Sequence, residues 1–559
     1  MLNINKLEHD IEEIIDDLKG LCSDKGLSNQ AGEEVIITSV FLYKFLNDKF
    51  MKNVKEFGGK VGYTLEEILI DNKDRMGDVF YNAYPRDVAF EYADTIEYLV
   101  NKASQDNFHI LFDDALENIS NNPRNESFAI ETAEGSTEPL FKKIISEYID
   151  DGKNNFAKNI IGIISQEKFD FGEAFEENFD FYSRIFEYLI SDYNVASGKY
   201  AEYYTPQAIS KIIAKILVNI APVEDISYDI YDPSAGSGSL ILHLAHELGE
   251  GSFGNKALVY TQDISAKSSR FLRINMLLNG LTDSLDNVIK GNTLLSPAHY
   301  VEEGNPSSGI KMFDYITSNP PFKMDFSSKR NEIEEKWIES EEHDGIKRFF
   351  AGIPKIPKKK KKSMEIYLLF IQHILWSLKE NGKAAIVVPT GFITAVNGIP
   401  RTIREKIIDK KWLKGVISMP PNIFANTGTN VSVLFIDKSN TEGEVMLIDA
   451  STLGSKEKID DKQKTVLSSD EVKLIEDTFI NKEVIDEFSV KVSYEEIKYK
   501  SYSFSAAQYF KIKMEYEEIS EQEFNDNIVY FQEELSVLFK KSNELNKKIN
   551  ANLNELKFE

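Results

Sequence analysis

The N-terminal part of the chain carries apolar residues at the spacing of amphipathic helices. Ile11, Ile14, Ile15 and Leu18 mark one helix face, and a denser apolar pattern follows over residues 36–45. This period predicts an α-helical N-terminal domain over residues 1–168. A polar stretch at residues 118–137, rich in Asn, Ser, Pro and Gly, predicts a loop within that domain.

The pattern changes after residue 181, where short apolar runs alternate with helical segments. The runs lie at residues 226–232, 256–263, 313–319, 383–388, 413–419 and 431–437. Strands separated by helices predict an α/β domain with a mostly parallel, doubly wound sheet, which we assign to residues 169–512. Ligands bind such sheets at the carboxyl ends of the strands, so the chemistry of this chain is expected at that edge.

The C-terminal segment, residues 513–559, predicts one long helix from about residue 518. Its apolar residues repeat at steps of four and three, with Ser542 and Asn552 at the two polar places: Phe524, Ile528, Phe531, Leu535, Leu538, Leu545, Ile549 and Leu556. Heptad spacing of this length indicates a helix for subunit assembly in a coiled coil. The same spacing also fits a terminal helix that packs on its own domain.

The composition and net charge limit the classes of protein to which the chain can belong. The chain has 559 residues, a net charge of −26 and a single cysteine, Cys22. One cysteine excludes an internal disulfide and a multi-cysteine metal site, which favours a reducing cytoplasm. The acidic first residues do not resemble a signal peptide, and no run is long and apolar enough for a membrane span. A cytoplasmic protein is therefore expected, and its charge argues against unaided binding to nucleic acid.

The tetrapeptide Asn319-Pro320-Pro321-Phe322 ends one of the apolar runs and supplies candidate catalytic residues. The Asn319 side-chain oxygen and a backbone carbonyl fixed by the prolines can accept both hydrogens of an exocyclic amino group. The ring of Phe322 can stack on a base. This combination predicts a clamp for the amino group of a nucleobase.

A glycine-containing turn follows an earlier run and consists of Asp232, Pro233, Ser234, Ala235, Gly236, Ser237 and Gly238. The segment lacks Gly-Lys-Ser/Thr, which disfavours a phosphate-binding loop of the nucleotide hydrolases. Ile241 stands where a dinucleotide dehydrogenase has its third glycine, so that interpretation is also weakened. The turn therefore predicts a nucleoside-type ligand.

Two polar residues lie at the ends of the following strands. Asp263 can hydrogen-bond both ribose hydroxyls of an adenosine, or cap the helix that begins near Ser265. Asn292, in Gly291-Asn292, can face the adenine of a cofactor, although Gly-Asn is also a common turn.

In this order the motifs resemble the amino-methyltransferases of DNA, and among them the methylation subunit of type I restriction-modification enzymes. The segment Glu202-Tyr203-Tyr204-Thr205-Pro206 matches an upstream cofactor motif of that family, and residues 378–389 and 422–428 match later blocks. The resemblance covers nearly the whole chain. It implies a Rossmann-like, S-adenosylmethionine-dependent methyltransferase core between the helical N-terminal domain and the C-terminal helix.

The resemblance also implies roles for individual residues. S-adenosylmethionine would be the cofactor, with Tyr204, Thr205 and Pro206 near its methionine carboxylate and Asp263 on its ribose. The turn residues Asp232, Pro233, Ser234, Gly236, Ser237 and Gly238 would lie along its methionine part. Asn319, Pro320, Pro321 and Phe322 would hold the target adenine. Asn292 departs from the wider family, which often has Asp there; the Asn oxygen can still contact an adenine amino group.

The partners implied by the resemblance are duplex DNA, a separate specificity subunit and a nuclease or translocase subunit for restriction, with two copies of this chain per complex. Two alternatives differ in class. One is a protein or RNA amino-methyltransferase, because Asn-Pro-Pro-aromatic also serves on glutamine amides. The other is a non-catalytic binding module descended from such an enzyme, against which the intact motifs argue.

Two further groups of residues have competing interpretations. His243, His246 and Glu247 suggest a zinc site, but no third ligand is evident and a helix beside a sheet explains them better, so no metal is expected. Lys355 and residues 358–362 form the densest basic cluster. They fit a phosphate-contacting loop and, equally, a solvated loop.

Overall fold

In the computed structural model the chain divides into two compact units, Met1–Phe510 and Lys511–Glu559. The structure describes fourteen stretches of the chain. The described residues are 4–28, 30–61, 88–131, 137–169, 171, 185, 188–189, 205–220, 227–249, 257–302, 304–424, 430–459, 462–510 and 519–555. The predicted division at residues 168 and 512 into three functional domains stays a prediction.

The N-terminal part of the first unit is helical, as the apolar period predicts. Its helices are Ile4–Ser23, Ala31–Val61, Ile96–Lys102, Phe108–Asn121, Ile144–Tyr148 and Lys153–Ile164. Short 3-10 turns lie at Tyr92–Asp94 and Pro123–Phe128. The predicted helix face is buried, because Ile11, Ile14 and Ile15 are fully inaccessible to solvent. These helices bury a common aromatic core that includes Phe41, Phe112 and Phe156.

The prediction of a loop at residues 118–137 is wrong in part. The helix Phe108–Asn121 continues into it, because Leu116 and Ile119 lie on its buried face. Beyond Pro123–Phe128, two short strands, Ile130–Glu131 and Thr137–Glu138, pair in antiparallel fashion. Composition alone did not reveal this, since polar residues cover the outer side of the helix.

A nine-stranded sheet forms the centre of the first unit. Its strands are β1 (Tyr228–Asp232), β2 (Ala257–Asp263), β3 (Val288–Lys290), β4 (Phe313–Ser318), β5 (Leu378–Pro389), β6 (Leu413–Ser418), β7 (Val431–Asp437), β8 (Glu444–Asp449) and β9 (Ser489–Ser493). They lie in the order β9-β8-β6-β7-β5-β4-β1-β2-β3. The neighbours β3, β2, β1, β4 and β5 run parallel, so their carboxyl ends meet at one edge.

The rest of the sheet is mixed. Strand β7 is antiparallel to both β5 and β6, β8 is parallel to β6, and β9 is antiparallel to β8. All the runs predicted as strands are strands, although residues 226 and 256 lie outside the described residues. The apolar pattern did not single out β8 and β9, which complete the side of the sheet away from β1.

Helices accompany the sheet. They are Gln207–Asn219, Ser239–Gly249, Ala266–Leu278, Arg330–Trp337, Tyr367–Ser377, Thr390–Thr394, Gly398–Asp409, Ser469–Ile480 and Tyr494–Tyr499. Single 3-10 turns lie at Thr282–Asn287, Pro306–Ser308, Lys361–Ser363 and Ala506–Gln508. Strands Ser455–Ile459 and Lys462–Val466 form a separate antiparallel pair.

The second unit is described as one 35-residue helix, Glu521–Glu555. Its large apolar side chains are exposed: Phe524, Ile528, Phe531, Leu535, Leu538, Leu545 and Ile549 are each between 41% and 57% accessible. Leu556, the last residue of the predicted apolar repeat, lies outside the described residues. Among the described helices of both units, none is long and apolar enough to cross a membrane.

Candidate active site

The turn after β1 brings the backbone close to the neighbouring helix. Gly236 and Gly238 have φ angles of +56° and +89°, in the left-handed region that favours glycine. A Cβ atom at Gly238 would lie 2.3 Å from Leu272 Cδ1, on the helix Ala266–Leu278. Glycine at this position therefore sets both the direction of the chain and its distance from that helix.

Asp232, the last residue of β1, is buried within this turn. Its side chain is 1% exposed, and Oδ1 accepts a hydrogen bond from the Ser234 amide at 3.0 Å. Burial raises the pKa of this carboxyl well above its ordinary value, and the amide of Ser234 opposes that rise. Pro233 and Ser237 are buried in the same turn. A cationic ligand group beside Asp232 would favour its ionised form.

Asp263, the last residue of β2, binds the same turn from the adjacent strand. Oδ2 accepts from the Gly236 amide at 3.0 Å, and Oδ1 accepts from the Ser265 amide at 2.8 Å. Burial raises the pKa of Asp263, and these two amides oppose the rise. A carboxylate has about four acceptor positions, so each oxygen can accept a further hydrogen bond from a ligand hydroxyl. Capping and ligand binding are therefore compatible.

Asn292 lies beyond β3, in a loop that reaches back to the turn. Its Oδ1 accepts from the amides of Leu294 and Leu295, at 3.1 and 3.3 Å. The next residue, Thr293, donates from its hydroxyl to the Pro233 carbonyl at 2.7 Å. Since Oδ1 is used within the loop, the amide group Nδ2 is the part of Asn292 that can turn to a ligand as a donor.

Arg348 holds this loop in place by hydrogen bonds, a role that no pattern in the sequence indicates. Its guanidinium is fully buried and donates to the carbonyls of Thr293, at 2.7 Å, and Leu294, at 3.2 Å. The cation also lies 4.3 Å from the centre of the Trp337 ring. Burial lowers the pKa of Arg348 to about 9. The loop that follows β3 is thus held by a buried cation.

The predicted clamp lies directly beside the turn, at the carboxyl end of β4. Asn319 Nδ2 donates to the Thr205 hydroxyl at 3.1 Å, and the hydroxyls of Ser318 and Ser234 are 2.7 Å apart. Thr205 is buried, and Pro206 immediately precedes the helix Gln207–Asn219. Because Nδ2 donates to Thr205, Oδ1 is the Asn319 atom that is positioned to accept. Tyr204 lies outside the described residues.

A cleft of about 860 Å³ opens at the clamp. Asn319, Pro320, Pro321 and Phe322 all line it, together with residues from the loops around Lys355, Ser363 and Pro389. The half-buried ring of Phe322 packs edge to face against Tyr367, with 6.2 Å between the ring centres. Phe424 also lines this cleft. The volume and the aromatic lining fit a planar heterocycle.

The residues gathered at this edge fit a charged nucleoside such as S-adenosylmethionine. Asp232 offers a buried acid for a cationic group, Asp263 offers acceptors for a diol, and Asn292 Nδ2 offers a donor for a ring nitrogen. His243 lies elsewhere, on the helix Ser239–Gly249, where Nδ1 contacts the Ser239 carbonyl at 2.7 Å. In the described part of the chain, no group of three or more potential ligand side chains could hold a metal ion.

Comparison with known proteins gives consistent results. The family model described as N-6 DNA Methylase matches residues 177–528. The MpnII methylase subunit of a type I restriction enzyme from Mycoplasma pneumoniae is 29% identical over 347 residues, which cover 60% of this chain and 58% of that protein. The MjaIX methylase subunit from Methanocaldococcus jannaschii is 25% identical over 392 residues, covering 68% and 64%. These matches span less than two thirds of each relative.

Among solved structures, the fold is similar to the type I restriction-modification methyltransferase subunit from Streptococcus thermophilus. The TM-score is 0.63 at 20% identity, and the match covers 90% of this chain and 99% of that one. The predicted α/β methyltransferase fold, with its helical regions, is thereby confirmed.

Proposed function

The chain belongs to the N-6 DNA methylase family, and from this premise we propose that it methylates the N6 amino group of adenine in duplex DNA. The methyl donor in this proposal is S-adenosylmethionine. The chain would act as the methylation subunit of a type I restriction-modification complex, in which a separate subunit selects the DNA site.

The observation that carries the proposal is the hydrogen bond between Asn319 and Thr205. It joins the candidate base clamp to the segment expected to contact the cofactor, so the two substrates would meet at one edge of the sheet. The contact between Ser318 and Ser234 supports the same arrangement on the neighbouring strands. Both contacts bridge residues that are far apart in the sequence.

The clamp residues explain how an unreactive amine is activated. The lone pair of an adenine amino nitrogen is delocalised into the ring, which makes the nitrogen a poor nucleophile. Asn319 Oδ1 and the Pro320 carbonyl accept the two amino hydrogens and favour a more tetrahedral nitrogen. Phe322 stacks on the base and, with the prolines, keeps water from the nitrogen. Alignment and exclusion of water provide most of the acceleration.

The cofactor in this proposal is held by the turn and the loops beside it. Thr205 and Pro206 would hold the methionine carboxylate, Asp232 the ammonium, and Asp263 the ribose hydroxyls. Asn292 would contact the adenine. When bound, S-adenosylmethionine supplies an electrophilic methyl group on its sulfonium. The buried carboxylates stabilise positive charge in this part of the site.

The net charge and the exposed apolar surface support the proposal that the chain acts together with partner subunits. A net charge of −26 leaves the chain poorly suited to bind duplex DNA by itself, because counterion release needs basic groups. The exposed apolar side chains of Glu521–Glu555 fit a helical partner. We therefore assign DNA sequence selection to a specificity subunit bound through this helix, and include a restriction subunit and two copies of this chain in the complex.

The activity of the chain in complex with the proposed specificity subunit is tested with methyl-labelled S-adenosylmethionine and three substrates, namely duplex DNA, RNA and a protein mixture. DNA is digested to nucleosides after reaction and analysed by mass spectrometry. The expected product is N6-methyl-2′-deoxyadenosine. Label confined to protein or RNA would support the rival class of amino-methyltransferase, and no label in any substrate would contradict catalysis.

The assembly is tested by truncating the chain near residue 518 and co-expressing it with the proposed specificity subunit. The truncated chain should stay folded and bind the cofactor, yet fail to co-purify with that subunit. Substitution of Glu533 and Glu534 by Gln, on the same helix, serves as a control that leaves the apolar residues in place. Retained co-purification after truncation would contradict the assigned role of the helix.

A further inference from the structure

We propose that the lysines of residues 355–362, together with Lys323, bind the DNA phosphates next to the target adenine. We call residues 355–362 the basic loop. The inference rests on the proposed function and deepens it, because it names the part of this chain that contacts the DNA backbone. The ligand is the phosphodiester backbone, so the contact is independent of base sequence.

The basic loop lies beside the clamp. Lys323 directly follows Phe322, and Lys323 and Lys355 both line the cleft into which the clamp opens. The amide of Met324 donates to the Met364 carbonyl at 3.0 Å, so the chain after the clamp is joined to the end of the basic loop. A nucleotide held in the cleft would therefore have its own and its neighbouring phosphates close to these lysines.

The two ends of the loop are fixed while its lysines face solvent. Ile353 and Met364 are buried in one apolar cluster with Phe326, Ile333 and Phe349. Between these anchors, residues 358–362 are exposed. Lys360 has a φ angle of +58°, which turns the chain sharply before the 3-10 turn Lys361–Ser363. Charged groups on a short anchored loop lose less freedom on binding than those on a long flexible segment.

The charges of the loop are also unlike those elsewhere in the protein. Seven lysines, counting Lys323, concentrate here in a chain with a net charge of −26. Within the described residues, no ion pair involves any of them. By contrast, Lys379, Lys438 and Lys482 each pair with a carboxylate. Lysines without a paired acid can exchange counterions for phosphates.

Two acids lie beside this positive charge, namely Asp325, on which the charges of Lys361 and Lys362 act, and Glu365, which lines the same cleft. Hydrogen bonds from Ser327 lower the pKa of Asp325 first, and the charges of Lys361 and Lys362 lower it further. Two carboxylates beside seven lysines leave most of the positive charge of the loop uncompensated. The local potential is therefore opposite in sign to that of the whole chain, which guides a polyanion to the cleft.

The test compares two triple variants of the full chain, each co-purified with the proposed specificity subunit. In the first, Lys358, Lys359 and Lys361 are changed to Gln; in the control, the exposed Lys55, Lys456 and Lys473 are changed to Gln. Both variants carry three fewer positive charges than the wild-type chain. Binding of a fluorescent 30-base-pair duplex is measured by anisotropy over a range of salt, cofactor affinity by calorimetry, and methyl transfer by label incorporation.

The loop variant should bind the duplex more weakly, by roughly tenfold at about 0.1 M salt for each phosphate contact that it loses. The slope of the logarithm of its binding constant against the logarithm of the salt concentration should become shallower by about one unit for each such contact. Its KM for DNA should rise while cofactor affinity and kcat stay near the wild-type values. The control should keep the wild-type salt dependence. Equal behaviour of the two variants would overturn the inference.

The wild-type reaction separates failure of this inference from failure of the proposed function. If the wild-type chain methylates DNA and the two triple variants behave alike, only the role of the basic loop is wrong. If the wild-type chain transfers no methyl group to DNA, alone or with its specificity subunit, the proposed function is wrong and the inference falls with it.

Discussion

The two halves of the candidate active site are built in different ways. On the turn side, Asp232 and Asp263 already accept hydrogen bonds from backbone amides, and Gly238 packs against Leu272. On the clamp side, Asn319 and Phe322 line an open cleft with a basic loop beside it. A preformed turn suits one small cofactor in a fixed pose, whereas an open cleft suits a base that enters from a large polymer. Substitutions on the two sides should therefore affect different measurable quantities.

The largest effect should come from Asn319→Ala. Loss of the acceptor for the amino group should reduce kcat by at least about a thousandfold, with cofactor affinity nearly unchanged, because the group acts on the base. Methyl incorporation and calorimetry with S-adenosylmethionine measure the two quantities. Asn331→Ala, at an exposed position, is the control. Appreciable residual turnover would show that Asn319 is not a catalytic residue. A large loss of cofactor affinity would show that substitutions in the two halves of the site do not have separate effects.

Asp263→Ala should have the opposite pattern. Cofactor affinity should fall by about tenfold to a hundredfold, since the ribose hydroxyls lose a charged acceptor and the Gly236 amide loses its partner. Asp449→Ala is a matched control, because Asp449 also ends a strand and accepts from the amide two residues later, Ser451. If cofactor affinity is unchanged in Asp263→Ala, the carboxylate only caps the helix.

Phe322→Ala tests whether the cleft binds the target base by stacking. Base stacking contributes about 1 to 3 kcal/mol, so capture of the target base should weaken by roughly tenfold. Phe322→Tyr and Phe322→Trp should keep much more activity, because each retains an aromatic face. The measurement is kcat/KM on duplex DNA, with cofactor binding followed in parallel. An equal loss in all three variants would argue against stacking.

The smallest effect should come from Asn292→Asp. The carboxylate can still accept from the amides of Leu294 and Leu295, so the loop should keep its shape. Cofactor binding should weaken by only a few times, because Asp replaces the Nδ2 donor to a ring nitrogen by an acceptor that an adenine amino group can use. Asn305→Asp, in another turn where Asn accepts from the amide two residues later, controls for the added charge. Equal or tighter cofactor binding would show that the amide donor of Asn292 does not contact the cofactor.

Much of this arrangement could be predicted from the chain because it depends on local patterns. Apolar runs placed β1, β2 and β4, and the motifs at their ends fall together because parallel strands share an edge. The role of Arg348 could not be predicted in this way. Its carbonyl partners are 54 and 55 residues away in the chain, and a single arginine has no periodic signature.

The orientation of Asn292 illustrates a second limit. The sequence allowed a turn or a ligand contact, and the amides of Leu294 and Leu295 decide which atom of the side chain is used within the loop. Strand β9 was missed for a different reason. Its alternation of Val with Ser and Lys is short and lies at the edge of the sheet. A five-residue strand with polar residues at alternate positions has only two apolar residues, Val490 and Val492, which is too short a pattern to single out.

The exposed helix Glu521–Glu555 has a consequence for how the protein behaves in a test tube. At 1.5 Å per residue its 35 residues extend about 50 Å, and apolar side chains recur along that length. Water-exposed apolar surface of this extent drives association. A preparation of the chain alone should therefore become turbid or elute as mixed species as its concentration rises, and co-expression with the specificity subunit should restore a single species.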